Sequence, residues 1–163
     1  MGIRLTQAKD WMLLKHVRLA ALLDTPTAFA VSYQTAANYS DEQWQVRASS
    51  ATTEFWLAIC DDKPVGMVGA VLSSANRYNL IGMWVEPAAR GSGVATQLVA
   101  AVKSRALEKG HDRVFLEVSS DSIRALNFYL KQGFSPIEEW EPLDSHPHIT
   151  VQTMVWTVDS GCQ

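Results

Sequence analysis

The feature that most constrains this chain is a strand that leads through a glycine-rich turn into a long amphipathic helix. Leu80 to Val85 is an apolar run of strand length, and two glycines lie in the turn that follows. From Ser92 or Gly93 to Lys109, aliphatic side chains recur at i, i+4 spacing, and Gly110 stands where a helix C-cap belongs. The pattern predicts a long helix that buries one face. The composition, 47% hydrophobic and 19% charged, argues against a disordered or fibrous chain.

Further strands and helices surround this unit and complete the prediction of a mixed α/β or α+β fold. Apolar runs predict strands at residues 3–6, 55–59, 65–72, 114–118 and 149–158, and residues 61–64 predict a hairpin turn. Helices are predicted over residues 8–23, from a Ser40 cap onward and over residues 122–132. Residues 27–40 show turn formers and scattered aromatics without a regular pattern. The length of 163 residues, 47% of them hydrophobic, predicts one domain spanning residues 1–163.

Composition and charge exclude several classes of function. Fourteen basic and 17 acidic side chains give a net charge of −3, which argues against a nucleic-acid partner. Neither a membrane-spanning run nor a signal peptide is recognisable, so we expect no membrane association and a cytoplasmic location. Cys60, predicted to be a core residue, and Cys162 lie too far apart for a CxxC site. The His146-Pro147-His148 segment makes a poor metal site, and we predict a loop there and no metal.

The glycine-rich turn has the chemistry of an anion-binding site. Free N–H groups in the first turn of a helix point outward with the positive end of the helix dipole behind them, and glycines allow close approach. Arg90 adds a cation suited to pyrophosphate. A tight turn without a ligand is the alternative interpretation. A Walker A loop is excluded by the missing Gly-Lys-Ser/Thr, and a Rossmann turn is disfavoured by Thr96 at its third glycine position.

Two motifs resemble the GNAT superfamily of N-acetyltransferases. Residues 90–95, Arg-Gly-Ser-Gly-Val-Ala, match the family motif R/Q-x-x-G-x-G/A, whose turn cradles the coenzyme A pyrophosphate. Residues 125–134, from Ala125 to Phe134, match the family's A-x-x-F/L-Y-x-K-x-G-F helix. One predicted helix and one predicted strand separate the two motifs, as in the family.

This resemblance implies a GNAT fold, in which a central, mixed and mostly antiparallel sheet splays between strands 4 and 5 and is flanked by helices. Acetyl-CoA would lie in the splay as co-substrate, with its pantetheine arm paired to backbone atoms of Met83 and Val85. Ser122 replaces an Asn that is common in the family, which makes cofactor contacts there less secure. The cofactor-binding residues implied are Met83, Trp84, Val85, Arg90, Gly91, Ser92, Gly93, Val94, Ala95, Thr96, Ser122, Asn127, Phe128, Tyr129 and Lys131.

The resemblance also implies direct acetyl transfer to an amine in a ternary complex, with Tyr129 as the general acid for the departing thiolate. Helix position alone would favour a core tyrosine at residue 129, and it is the match to the second motif that favours the catalytic role. Glu117 is the predicted general base, and Glu86 and Asp121 stay open as alternatives because alternate strand residues face opposite ways.

The acceptor is expected to be a cationic amine of a small molecule or peptide. Residues 132–163 hold no basic and five acidic side chains, and Glu138, Glu139, Glu141 and Asp144 cluster there. Three other functions stay open: an acyltransferase with another acyl group or a hydroxyl acceptor, a non-catalytic coenzyme A sensor, and a Rossmann-type nucleotide-binding domain. A homodimer formed through sheet edges is a further possibility from the resemblance.

Overall fold

A computed structural model describes residues 1–24, 32–50, 52–143 and 146–158. Its centre is a seven-stranded sheet in the order β1-β2-β3-β4-β5-β7-β6, with every neighbouring pair antiparallel except the parallel pair β4 and β5. The strands are β1 (Gly2–Leu5), β2 (Thr53–Cys60), β3 (Lys63–Leu72), β4 (Tyr78–Val85), β5 (Arg113–Ser119), β6 (Ser135–Leu143) and β7 (His146–Thr157). The helices are α1 (Trp11–Asp24), α2 (Tyr33–Ala37), α3 (Asp41–Ser49), α4 (Val94–Glu108) and α5 (Ile123–Lys131). The predicted mixed, mostly antiparallel sheet is thereby confirmed.

The long helix α4 is built as its periodicity predicts. Val94, Leu98, Val102 and Ala106 are all buried against the sheet. Gly110 follows with a φ of +84°, a left-handed conformation that glycine adopts at a helix end without steric cost.

Helices cover the two faces of the sheet and enclose separate hydrophobic cores. One core contains the buried face of α4, together with Tyr129 of α5 and Phe134. The other lies among α1, α2 and α3 and contains Trp44 and Trp84. A cleft opens where the sheet between these two cores divides.

The sheet divides because β4 and β5 share a single register pair, Asn79 opposite Phe115. Beyond this pair the two parallel strands diverge, which leaves the backbone groups along the facing edges without a ladder partner. The predicted splay between strands 4 and 5 is thus confirmed.

Several elements differ from the sequence prediction. The His146-Pro147-His148 segment was predicted to be a loop, but it begins strand β7. Strand β6 was not predicted, because its residues are exposed at the edge of the sheet and show no apolar alternation. Cys60 is half-buried at the end of β2, so it is not a core residue. The short helix α2 was also missed, and Asp144 and Cys162 lie outside the described residues.

Candidate active site

A cleft of about 540 Å³ occupies the gap between β4 and β5. Its walls come from the ends of both strands, from α5, and from β6 and β7. Four of the predicted site residues line it together, namely Met83, Glu117, Ser122 and Tyr129. The cleft therefore gathers residues that lie far apart in the sequence.

The β4 wall of the cleft carries a β-bulge. Between Gly69 and Met67 of β3 the chain advances two residues, whereas the paired segment of β4 from Ile81 to Trp84 advances three. Gly82 takes up the extra residue with a φ of +60°, a conformation that favours glycine. A bulge interrupts the ladder and leaves a residue unpaired. Backbone polar groups at Gly82 and Met83 are thus placed beside the cleft. No motif in the sequence singled out Gly82.

The turn between β4 and α4 presents the start of a 15-residue helix. Gly91 and Gly93 have φ values of +82° and +89°, and a Cβ built on either would meet no described atom within 4 Å. The first turn of α4 contains no acidic side chain, and its N-cap is Gly93. The Ser92 hydroxyl donates a hydrogen bond back to the carbonyl of Ala89 within the turn. The amides of this helix start are consequently open to an anion.

Arg90, predicted as a pyrophosphate cation, is held by two groups of the protein. Its Nε donates to the carbonyl oxygen of Val85 at 2.9 Å, and its Nη2 lies 2.6 Å from Oδ2 of Asp24. The same Oδ2 accepts a hydrogen bond of 3.0 Å from the indole of Trp84. These bonds from Trp84 and Arg90 hold the pKa of the Asp24 carboxyl below its ordinary value. Asp24 therefore ties the glycine-rich turn to the end of α1.

Trp84 contributes to this site differently from Met83. Its indole is buried in the core beneath α1 and is not among the side chains that line the cleft. Met83, half-buried, lies on the cleft side. Val85 is buried in the core below α4 and ends the strand at the turn.

Tyr129 is buried, with 8% of its surface exposed, on the inward face of α5. Its ring packs edge-on against Phe128 and Phe134, with centroids 5.2 and 5.7 Å away. Burial raises the pKa of the Tyr129 phenol well above its ordinary value. The phenol consequently keeps its proton throughout the physiological pH range and can act as a donor to the cleft.

The three candidate bases occupy different places. Glu117 lies on β5 and lines the cleft, although its side chain is largely exposed. Glu86 follows β4 at the start of a 3₁₀ turn, and Asp121 follows β5, and neither is among the cleft residues described. Among the three, the cleft geometry favours Glu117.

The remaining predicted cofactor residues lie in the first turn of α4 and along α5. Ala95 is half-buried and Thr96 is exposed in the first turn of α4. The side-chain amide of Gln132 donates to Oγ1 of Thr96 at 3.2 Å, which joins α4 to the end of α5. Asn127 and Lys131 are exposed on α5 and lie outside the cleft lining.

Strand β6 contributes two acidic side chains to one side of the cleft. Glu139 and Glu141 both line the cleft, as does Arg77 at the start of β4. The guanidinium of Arg77 pairs with both carboxylate oxygens of Glu139, at 2.6 and 2.8 Å, and lies 4.5 Å above the ring of Phe115. Hydrogen bonds from Arg77 hold the pKa of Glu139 below its ordinary value. The sequence did not indicate this long-range pair.

The described residues form neither a metal-binding cluster nor a membrane-spanning helix. Within the described ranges, no group of three or more His, Cys, Asp or Glu side chains is placed to hold a metal ion. None of the helices in those ranges is long and apolar enough to cross a membrane.

An α/β fold whose sheet opens between two parallel strands, next to the glycine-rich start of a helix, is typical of acetyltransferase-like proteins. Residues 18–134 match the model of the Acetyltransferase (GNAT) family, and the chain belongs to this family.

Relatives and solved structures agree with this assignment. N-acetyltransferase 8B of Rattus norvegicus is 33% identical over 93 residues, which are 54% of this chain and 42% of the rat protein. The chain thus spans less than half the length of this curated relative. A GNAT acetyltransferase of Streptococcus pneumoniae shares the fold, with a TM-score of 0.79 at 19% identity over 97% of this chain and 99% of that one. A Bacillus anthracis protein described as a streptothricin acetyltransferase was solved with acetyl coenzyme A. The two structures superpose with a TM-score of 0.62 at 19% identity, over 69% of this chain and 66% of the Bacillus anthracis chain.

Proposed function

We propose that the chain transfers the acetyl group of acetyl-CoA to a primary amine of a small molecule or peptide, by direct attack in a ternary complex. The observation that carries this proposal is the cleft itself, which combines the bulge of β4, the diverging strand β5 and the buried Tyr129. The acetyl coenzyme A bound to the Bacillus anthracis protein supports acetyl-CoA as the co-substrate.

The chain offers two sets of groups to hold acetyl-CoA. The uncapped amides at the start of α4 would take the pyrophosphate, because Gly91 and Gly93 leave open space there. Backbone groups of Met83 and its neighbours beside the bulge would pair with the pantetheine arm. Arg90 would support this site by fixing the turn, since Asp24 and Val85 already bind its guanidinium.

The chemistry requires that the amine lose two protons and that the departing thiolate gain one. An alkylamine with a pKa near 10.4 is neutral in about one molecule in 10³ at pH 7, so a proton must leave the amine before attack. Glu117 in the cleft wall would accept it, directly or through water. The neutral amine would attack the thioester carbon, and the C–S bond would break as Tyr129 donates a proton to the departing thiolate. The second proton of the amine would return to the Tyr129 phenolate, directly or through water, which leaves the amide and free coenzyme A.

Charges in the cleft favour a cationic acceptor. Its lining residues include three glutamates, Glu117, Glu139 and Glu141, against Arg77 as the one basic residue among those described. Arg77 offsets the charge of Glu139, and a negative balance remains. Such a field attracts an ammonium group and is screened by salt.

A thiol-release assay with acetyl-CoA and a panel of amines tests this function, with Tyr129→Phe and Tyr78→Phe run beside the native chain. We expect release with cationic amines, loss of release in Tyr129→Phe, and retention in Tyr78→Phe. A rise in Tm on adding coenzyme A without thiol release for any amine would instead support a non-catalytic coenzyme A sensor. If neither response occurs, the proposal fails.

A further inference from the structure

A second, much smaller cavity lies among α1, α2 and α3, and it shares no lining residue with the cleft in the described ranges. Its volume is about 20 Å³, which is room for one water molecule or one small ion. Apolar side chains such as Leu14 and Phe55 form part of its wall. Its polar side chains are Arg18, Tyr39, Trp44 and Arg47.

Trp44 points to an occupant of this cavity. The residue is 2% exposed, and the N–H of its indole has no hydrogen-bond partner among the described residues. Its ring is fixed by an edge-on contact with Tyr39, with centroids 5.6 Å apart. Because a buried N–H group without an acceptor costs free energy, an acceptor in the cavity would stabilise the fold.

The two arginines show what kind of acceptor fits. Burial lowers the pKa of Arg18, and the positive charge of Arg47 lowers it further, so two like charges face one cavity. Arg47 lies 4.2 Å above the ring of Tyr39. A guanidinium and an indole can only donate, which leaves the Tyr39 hydroxyl as the side-chain group in this lining that could accept. A water molecule needs both donors and acceptors, whereas a site of donors with positive charge suits an anion.

We propose that this cavity binds one monovalent anion of about the size of chloride, held by the indole N–H of Trp44 and the charges of Arg18 and Arg47. The small volume argues against sulfate or phosphate. An open groove along α3 also includes Arg47 and Phe55 in its wall, so the cavity lies next to a solvent-exposed surface.

Arg18, which lines this cavity, also lies against Gly82 in the β4 wall of the cleft. A Cβ at Gly82 would lie 2.9 Å from Nη1 of Arg18, so that guanidinium sits directly beneath the bulge of β4. An anion bound beside Arg18 would therefore lie one side chain away from the backbone that forms the cleft wall.

Thermal unfolding in different sodium salts at matched ionic strength tests the proposal. Chloride and bromide are expected to raise the Tm above its value in gluconate or sulfate, by about 4 °C at ten times the dissociation constant, and to saturate. Arg47→Gln and Trp44→Phe should abolish this difference, whereas Lys63→Gln, an exposed change on the β2–β3 hairpin, should retain it. Equal Tm values in all four salts, or equal stabilisation by sulfate, would overturn the proposal.

Crystals grown in sodium bromide give a readout that does not depend on how the variants fold. An anomalous bromine peak within hydrogen-bond distance of the Trp44 indole nitrogen is the expected result. A peak without anomalous signal would identify a water molecule, and an empty cavity would equally contradict anion binding.

Discussion

The hydrophobic cores on the two faces of the sheet differ in the charged groups that lie in or beside them. Under α4, the core consists mostly of Val, Leu and Ala side chains with four aromatic rings among them, and the buried carboxylate of Glu54 is bound by Arg105 and Lys109. Under α1 to α3, the core is also mostly aliphatic, but Arg18 and Arg47 line a cavity beside Trp44, whose indole N–H has no partner among the described residues. The difference lies in charge: beneath α4 a buried carboxylate is paired with two cations, whereas the cavity on the opposite face is lined by two cations and by no carboxylate among the described residues.

The largest effect that would test this division is on Tyr129, whose hydroxyl we assign to chemistry. Tyr129→Phe is expected to lower kcat by about 10²- to 10⁴-fold, since one general acid typically contributes that much. The KM for acetyl-CoA should change little. Because burial raises the pKa of Tyr129, the native rate should not fall as pH rises through 10, the ordinary range of a tyrosine.

Tyr78→Phe provides the matched control for this prediction. Tyr78 is also buried under α4, and its hydroxyl has no partner among the described residues. Burial raises its pKa to about 12, helped by the negative charge of Glu54. Loss of this hydroxyl should leave kcat unchanged and should not lower stability. A fall in kcat equal to that of Tyr129→Phe would show that both changes act on the scaffold.

The next largest effect concerns the buried ion cluster below α4. Glu54→Gln is expected to lower the free energy of unfolding by about 2 kcal/mol, because it removes the charge that offsets Arg105 and Lys109. Burial acts to raise the pKa of Glu54, but hydrogen bonds from the two cations outweigh it and hold the pKa below its ordinary value. The stabilisation is therefore complete above the unfolded pKa of about 4.3 and is lost as pH falls through the lower folded value.

Urea unfolding at pH 7 and at pH 3 measures this difference. The exposed neighbour Glu108→Gln serves as the control and should stay within about 0.5 kcal/mol of the native chain. If Glu54→Gln is equally harmless at pH 7, the α4 face does not depend on the cluster.

A smaller effect is expected at Asp24, which joins the end of α1 to Trp84 and to the turn before α4. Asp24→Asn weakens the bonds to Trp84 and Arg90, which should cost about 1–2 kcal/mol of stability and raise the KM for acetyl-CoA about threefold to tenfold. If Arg90 acts by fixing the turn, adding Arg90→Gln to Asp24→Asn should have little further effect on KM. Additive losses measured in this double-mutant cycle would instead show that Arg90 binds the cofactor directly.

The smallest effect belongs to the acidic side of the cleft. Glu141→Gln should raise the KM for a cationic amine about twofold to fivefold at low salt, and the difference should shrink as ionic strength rises. Glu138→Gln is the control, because Glu138 is exposed on the same strand and is not among the cleft residues described. An unchanged KM in both variants would remove the proposed attraction.

Sequence patterns predicted the parts of this molecule that depend on local order. The periodicity of α4, its C-cap at Gly110 and the helix that carries Tyr129 all followed from residues close together in the chain. The family resemblance then implied that Met83 and Tyr129 share one site, and both residues line the same cleft.

The parts that were missed depend on distant residues. Asp24 joins Arg90 across 66 positions, and Arg77 joins Glu139 across 62, so no local pattern indicates either pair. Strand β6 is recognised by its pairing with β7, because its exposed residues lack the alternation of a half-buried strand. The donors around Trp44 likewise meet through packing of separate helices.

The lone register pair between Asn79 and Phe115 has a consequence for motion. Strands β1 to β4 form one hydrogen-bonded plate and β5 to β7 another, and the direct ladder between the plates is confined to that point. Because few hydrogen bonds would have to break for the plates to move relative to one another, we expect this joint to act as a hinge. Amides that face the gap beyond the joint should therefore exchange with solvent faster than those inside either plate. A ligand that bridges the two strands would slow this exchange on both sides at once.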